Sequence, residues 1–186
     1  VDTPLPQDHQ VAKTIAKPFE DPTKYREAVG ALNYLAVCTR PDICCAVSQI
    51  SKKMQSPSEE DWMLVKRMLR YLQRTKNAKL VYHAKPKELV GFSDASYAPN
   101  TEDRKSISGY LFQMNGAAIS WKSKKQPIVS LSSMEAEHIA ITAAIKEAKW
   151  LAKLEEELMM KQKKMVIFED NQSTIKTAKN EIHTER

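Results

Sequence analysis

The feature that most constrains this chain is a pair of short apolar runs, each ending in acid. Glu88-Leu-Val-Gly-Phe-Ser-Asp-Ala-Ser-Tyr-Ala98 carries Leu89, Val90 and Phe92 into Asp94, followed at once by small residues. Met165-Val-Ile-Phe-Glu-Asp170 repeats the pattern, and Asn171-Gln172-Ser173 follows it. A carboxylate at the end of a buried strand is costly to desolvate unless it is paired or holds a cation. Two such strands side by side place Asp94 and Asp170 together at one rim of a sheet. That geometry suits a divalent cation, since hard Mg²⁺ takes carboxylate oxygens and waters. The competing reading makes each Asp a strand-end turn or helix-cap residue, a common use of that side chain.

The surrounding pattern tells where those strands sit. From Leu80 the apolar period is two, so Leu80-Val-Tyr-His83 and Leu89 to Phe92 are predicted strands. A charged turn, Thr101-Glu-Asp-Arg-Lys105, precedes Ile107-Ser-Gly-Tyr-Leu-Phe112. Asn115-Gly116 is a hairpin signal leading into Ala117-Ala-Ile-Ser-Trp121. Residues 89–122 therefore read as a three-stranded antiparallel meander. Ser132-Ser-Met-Glu135 opens a long helix to about Met160, with an apolar stripe of Ala136, Ile139, Ala140, Ala143, Leu151, Leu154 and Leu158. Glu135 and Glu137 flank that stripe on opposite sides, so spacing alone does not say which points inward. Ser132-x-x-Glu135 is also a capping box. The second acid-ended strand and a short helix from Ser173 to Lys179 complete an order of βββ, α, β, α. No Gly-rich phosphate loop occurs among the 4 glycines.

Upstream of Leu80 the spacing is helical. Residues 1–22 carry Pro4, Pro6, Pro18 and Pro22 without periodicity and read as an extended arm. Asp21-Pro22-Thr23 starts a helix whose stripe is Tyr25, Val29, Leu32 and Leu35. Arg40-Pro41-Asp42 breaks it and opens a second, with Ile43, Val47, Ile50 and Met54 on one face. Ser56-Pro57-Ser58 ends that one, and Ser58-x-x-Asp61 caps a third carrying Trp62, Val65, Leu69 and Leu72. Lys66, Arg67, Arg70, Arg74 and Lys76 make the third helix basic, as a solvated face or as a phosphate-contacting one. Lys122, Lys124 and Lys125 follow Trp121, and a basic cluster beside an aromatic suits a nucleic-acid backbone, though a lone Trp also serves as core.

The whole-chain numbers set limits on these readings. With 186 residues there is room for one domain or one and a half. Twenty-nine Lys and Arg against 23 Asp and Glu give +6, which favours a polyanionic partner. The longest apolar runs fall far short of a membrane span. Cys38, Cys44 and Cys45 make a poor disulfide framework and lack zinc spacing, so they read as buried thiols in a reducing compartment. His9, His83, His138 and His183 form no ligand pair. Val1 rather than Met opens the chain, so a fragment or a processed product is expected.

Several linked motifs carry a resemblance. Tyr25-Arg-Glu-Ala-Val-Gly-Ala-Leu-Asn-Tyr-Leu35, Thr39-Arg-Pro-Asp-Ile43 and Lys66-Arg-Met-Leu-Arg-Tyr-Leu72 resemble the segment that ends the reverse transcriptase of copia-type LTR retrotransposon Pol polyproteins. Gly91-Phe-Ser-Asp-Ala-Ser-Tyr-Ala98 is similar to the first strand of the ribonuclease H that follows it. Asp103-Arg-Lys-Ser-Ile-Ser-Gly-Tyr110, Ile119-Ser-Trp-Lys-Ser-Lys-Lys-Gln-Pro127, Leu131-Ser-Ser-Met-Glu-Ala-Glu-His138 and Glu169-Asp-Asn-Gln-Ser173 continue the likeness in order.

The resemblance implies an α/β, ribonuclease H-like fold: a mixed sheet of an antiparallel meander plus a parallel strand, with flanking helices. It divides the chain into the arm 1–22, the helical end of the reverse transcriptase 23–78 and an incomplete ribonuclease H-like domain 79–186. It implies two Mg²⁺ (or Mn²⁺) ions, hydrolysis of the RNA strand of an RNA–DNA hybrid, and Asp94, Glu135 and Asp170 as catalytic metal ligands. By the same resemblance Glu135 is preferred to Glu137. Arg104, Lys122, Lys124 and Lys125 are the expected nucleic-acid contacts. The remainder of the Pol polyprotein is the expected partner, no membrane is involved, and the setting is intracellular, in a cytoplasmic virus-like particle or the nucleus. Two departures stand out. Met134 replaces the usual Thr before the helix acid. The family also continues past Arg186 into a fifth strand and a last helix, with a fourth metal-binding carboxylate on that segment, so impaired activity and a fourth-strand edge that is exposed or paired by something else are expected. The polymerase palm is absent, and polymerase activity is not expected. The alternative is an inactive remnant that only binds nucleic acid or a partner.

Overall fold

The computed structural model describes residues 1–6, 17–84, 88–99, 103–158 and 165–179. His9 and His183, parts of the predicted arm and of the turn at Thr101, and the expected end of the long helix at Met160 lie outside the described residues. The chain forms two compact units, Val1–Leu80 and Val81–Arg186.

In the first unit, α1 (Pro22–Cys38) starts where Asp21 accepts a hydrogen bond from the Lys24 N–H and Pro22 supplies a first-turn φ. Its buried residues are Tyr25, Val29, Leu32 and Ala36. Ala36 takes the place expected of Leu35, because 3.6 residues per turn carry the stripe on by four rather than three. A 3-10 turn, Pro41–Ile43, leads into α2 (Cys44–Ile50), and α3 (Glu59–Arg74) begins at the predicted capping box, with Ser58 and Asp61 satisfying each other's backbone N–H groups. On α3 the core positions are Leu64, Val65 and Met68, whereas Leu69 is exposed. Trp62 stacks on Phe19 at 4.9 Å. The Tyr25 hydroxyl donates to the Ile50 carbonyl at 2.9 Å, and burial pushes its phenol well above the ordinary range. Cys38 and Cys45 are exposed rather than buried, since α1 and α2 turn their larger apolar residues inward at neighbouring positions.

Arg40 holds the joint between these helices. Its guanidinium donates to both Asp42 oxygens at 2.9 and 2.7 Å and to the Thr75 hydroxyl at 2.6 Å, while the Tyr71 hydroxyl donates to Asp42 at 2.8 Å. That network ties the break after α1 to the end of α3. On the basic face of α3, Arg67 donates to the Thr3 hydroxyl and Arg74 pairs with Asp2.

The second unit is a mixed four-stranded sheet in the order β3-β2-β1-β4. Strands β1 (Val90–Ser96), β2 (Ile107–Met114) and β3 (Ala117–Lys125) form the antiparallel meander. Asn115 at φ 54° and Gly116 at φ 90° make the tight turn between β2 and β3, two left-handed residues in succession as a primed hairpin turn requires. Strand β4 (Val166–Phe168) runs parallel to β1, with Phe92 opposite Phe168. Leu80-Val-Tyr-His83, predicted as a strand, is not one. The segment is tethered to the hairpin by the His83 N–H on the Asn115 carbonyl and the Tyr82 hydroxyl on the Ala118 carbonyl, too few contacts for a ladder.

Helix α4 (Ser133–Glu157) packs on one face of the sheet through Ala136, Ala140, Ala144, Ala148 and Leu151. The small side chains let the helix lie close to the strands, and Phe112, Leu89 and Ile167 fill the space beneath. Gly91 belongs to the same fit, because a Cβ there would come within 2.5 Å of the Phe112 ring. Leu154 and Leu158, expected on the buried stripe, are exposed near the end of the helix. Asn171 accepts from the Thr174 N–H at the start of α5 (Gln172–Lys179), and the buried Thr174 hydroxyl donates to the Met134 carbonyl at the start of α4. Among the described residues no helix is long and apolar enough to cross a membrane.

Candidate metal centre

The parallel register of β1 and β4 does most of the positioning. Phe92 and Phe168 face each other and stack at 5.4 Å on the sheet face away from α4. Two residues further along each strand path come Asp94 and Asp170, both exposed. The start of α4 lies over the other face and supplies a third acid, Glu137, which is 7% exposed. Carboxylate oxygens of Asp94, Glu137 and Asp170 all lie within 4.8 Å of one another.

Glu135 is not the helix carboxylate brought to the two aspartates. Its Oε2 accepts from the Leu131 N–H at 2.7 Å, and its own N–H donates to the Ser132 hydroxyl at 3.1 Å. Glu135 is thus engaged at the helix start, while Glu137, two residues on and about 200° around the helix, turns inward. Of the three acids expected from the resemblance, the structure brings Asp94 and Asp170 together and sets Glu137, not Glu135, beside them.

The electrostatics of the cluster are unfavourable to its own charges. Burial, then the nearby charges of Glu169, Asp94 and Asp170, push the Glu137 carboxyl up to about 7, against one stabilising hydrogen bond from the Ala95 N–H. Like charges at such separations repel by roughly 3 kcal/mol at an effective dielectric constant of about 20, and by less where water reaches them. Glu137 Oε2 is buried with no hydrogen-bond partner. Glu169, a residue the sequence reading passed over, lies beside the cluster, and burial raises its carboxyl too. The Asn171 N–H, donating at 3.3 Å, and the neighbouring Ser93 hydroxyl work against that rise, although the Ser93 oxygen makes no hydrogen bond of ordinary geometry. The signal for Glu169 was present in the strand period. Ile167 packs under α4, so Glu169 shares its face and Asp170 takes the other.

Three carboxylates brought together from three parts of the chain, one with a buried orphan oxygen, could hold a hard divalent cation. Asp94, Glu137 and Asp170 would be the ligands, and the two aspartates are exposed to solvent.

The expected nucleic-acid residues lie elsewhere on this unit. Lys122, Lys124 and Lys125 are on β3, the sheet edge opposite β4, and border a cleft of about 340 Å³ against α4. Lys122 and Lys124 are exposed, and Lys125 pairs with Asp103. Arg104 is exposed in the loop before β2, at a left-handed φ of 48°.

Comparison with known proteins gives sequence relatives. The chain is 44% identical over 162 residues to the retrovirus-related Pol polyprotein from transposon TNT 1-94 of Nicotiana tabacum, a stretch covering 87% of this chain and 12% of that protein. It is 38% identical over 173 residues to the corresponding polyprotein from transposon RE1 of Arabidopsis thaliana, covering 92% of this chain and 12% of the relative. It is also 48% identical over 128 residues to secreted RxLR effector protein 161 of Plasmopara viticola, covering 68% of this chain and 90% of that one. The chain therefore spans only about an eighth of the Pol relatives. No family model and no solved structure matches it.

Proposed function

From the premise that the chain belongs to the family of retrotransposon Pol polyproteins, we propose that Val81–Arg186 is a ribonuclease H-like nuclease domain that cleaves the RNA strand of RNA–DNA hybrids. The observation carrying this reading is the convergence of Asp94, Glu137 and Asp170 from β1, α4 and the end of β4. Two Mg²⁺ or Mn²⁺ ions held there would activate a water and stabilise the leaving oxygen of an in-line displacement. Asp94 and Asp170 face solvent and hold the side of the site that a scissile phosphate approaches. Glu137 must be ionised to serve as a ligand, and its position against the Ala95 N–H fixes where its free oxygen points. Lys122, Lys124 and exposed Arg104 meet the nucleic-acid backbone at a distance from the acids, as a duplex longer than one turn allows, and Lys125 borders the same cleft. Residues 23–78 are the helical end of the reverse transcriptase, and the rest of the Pol polyprotein is the partner, in a cytoplasmic virus-like particle or the nucleus.

A labelled RNA–DNA hybrid with Mg²⁺ tests the reading. Cleavage confined to the RNA strand and lost in Asp94→Asn, Glu137→Gln and Asp170→Asn supports it. Absence of cleavage, or cleavage indifferent to all three changes, overturns it.

One relative favours a second reading. The effector-named protein is covered over 90% of its length, so a stretch matching about two thirds of this chain occurs outside a polyprotein name. In that reading the chain binds nucleic acid or a protein partner without cutting. Hybrid binding that weakens with rising salt, with no cleavage, would favour it.

A further inference from the structure

The cleft between β3 and α4 joins apolar, basic and acidic walls. Helix α4 packs chiefly over β1 and β2, and a space of about 340 Å³ opens between it and the outer strand. That volume lies at the lower end of the range of small-ligand sites, roughly 300–1,000 Å³. Along α4, Ile139, Ala143, Lys146 and Glu147 recur at the four- and three-residue spacing of one helical face. Along β3, Lys122 and Lys124 alternate onto the same side, opposite Tyr110 and Ser108 of β2. Tyr110, Ile139 and Ala143 supply the apolar surface, and with only a methyl at Ala143 the space stays open. Glu147 is held in place, accepting from the Ser120 hydroxyl at 2.6 Å on one oxygen and from the Tyr110 hydroxyl at 3.1 Å on the other. The charges do not balance. Among the described residues the ion pairs lie at Arg40, Arg74, Lys125 and Lys153, so exposed Lys122, Lys124 and Lys146 pair with no acid. Three ammonium groups against the one Glu147 carboxylate leave two positive charges.

We propose that this cleft is a nucleotide site, separate from the acidic cluster, which takes a single unpaired nucleotide by its base and its phosphomonoester. A phosphomonoester carries about −1.5 to −2 at neutral pH, against about −1 for a backbone diester, and so matches the surplus. The lysines take the phosphate, and the base lies against Tyr110, Ile139 and Ala143 as unpaired bases lie on aromatic and apolar side chains. Each Glu147 oxygen keeps a lone pair for a ribose hydroxyl or a base N–H, whereas the same carboxylate repels the side chains of an acidic peptide. The backbone contacts proposed for Lys122 and Lys124 need no pocket. The cleft adds a preference for an unpaired, phosphorylated nucleotide, free or at the end of a strand.

NMR titration of the isotope-labelled full chain in chelator tests this, with adenosine 5′-monophosphate, adenosine, inorganic phosphate and hexaglutamate as probes. The mononucleotide is expected to shift the amides of Lys122, Ala143 and Lys146 and to bind at least about 10-fold more tightly than each other probe. Lys146→Met keeps most of the apolar stem at an exposed position and should weaken binding by about 10-fold. Ala143→Phe should abolish binding by filling the space; should it not fold, Lys146→Met decides alone. A 5′-phosphorylated oligoadenylate as tight as the mononucleotide identifies a strand end as the ligand, and one about 10-fold weaker identifies a free nucleotide; both sustain the site. Any other probe binding as tightly as the mononucleotide, shifts confined to residues outside the cleft, or unchanged affinity in Lys146→Met overturns the proposal. Chelator keeps metal from Asp94, Glu137 and Asp170, so failure of hybrid cleavage and failure of nucleotide binding are separate results.

Discussion

Asp42 and Glu137 are both carboxylates set against packed helices, one in each unit, and their surroundings differ in every respect. Asp42 receives two hydrogen bonds from Arg40 and one from Tyr71, which hold its carboxyl below the usual carboxylate range. Glu137 meets burial and three neighbouring acids, with one backbone N–H in its favour, and is pushed up to about 7. The first acid links an interhelical joint to the end of α3. The second adds charge where the fold alone has no use for it. An acid that the fold satisfies has a structural role, and an acid left unsatisfied beside others is a candidate for a functional one.

That contrast can be broken by substitution, the largest effect first. Asp170→Asn should lower Mg²⁺-dependent hybrid cleavage by about 100-fold or more, equivalent to roughly 2.7 kcal/mol in the barrier. Its thermal midpoint in chelator should equal or exceed that of the parent chain. Asp42→Ala should do the reverse. Loss of charged hydrogen bonds to the nearly buried Arg40 is expected to cost about 2 kcal/mol in urea unfolding of Val1–Leu80, with Mn²⁺ binding untouched.

The two acids should also give stability opposite slopes with pH. A carboxyl raised from 4.5 to about 7 on folding binds more protons folded than unfolded between those values. Glu137 therefore stabilises the metal-free chain at low pH and withdraws that support as pH rises from about 4.5 through about 7. Asp42, lowered from 3.8, supports the fold above that value and withdraws its support as pH falls below it. Chemical unfolding of Glu137→Gln in chelator should lack the first slope between pH 5 and 8 and keep the second, seen below about pH 4. The smallest effect is at the helix start: Glu135→Gln should cost about 0.5 kcal/mol through the weakened Leu131 contact.

Much of this organisation was legible in the sequence. The capping boundaries at Asp21 and Ser58, the Asn115-Gly116 hairpin and the two acid-ended strands are local signals, and each is decided within a few residues. The misreadings arose where a distant partner decides. Leu80 to His83 has strand composition, but it bonds to the hairpin only at isolated points. Leu35 gave way to Ala36, and Leu154 and Leu158 stay exposed, because a helical stripe is chosen by what packs against it. The inward acid of α4 is open in the sequence for the same reason, and the resemblance favours Glu135. Its carboxylate instead meets the Leu131 N–H, a contact that depends on the path of the chain before the helix. Glu169 was within reach of strand parity, yet its neighbour Asp170 ended the run and drew the reading.

The most direct test of the central claim compares Glu135→Gln with Glu137→Gln in Mn²⁺ titrations of the full chain at pH 8. Binding retained in Glu135→Gln and lost in Glu137→Gln is the predicted result. Binding lost in Glu135→Gln and retained in Glu137→Gln would contradict it.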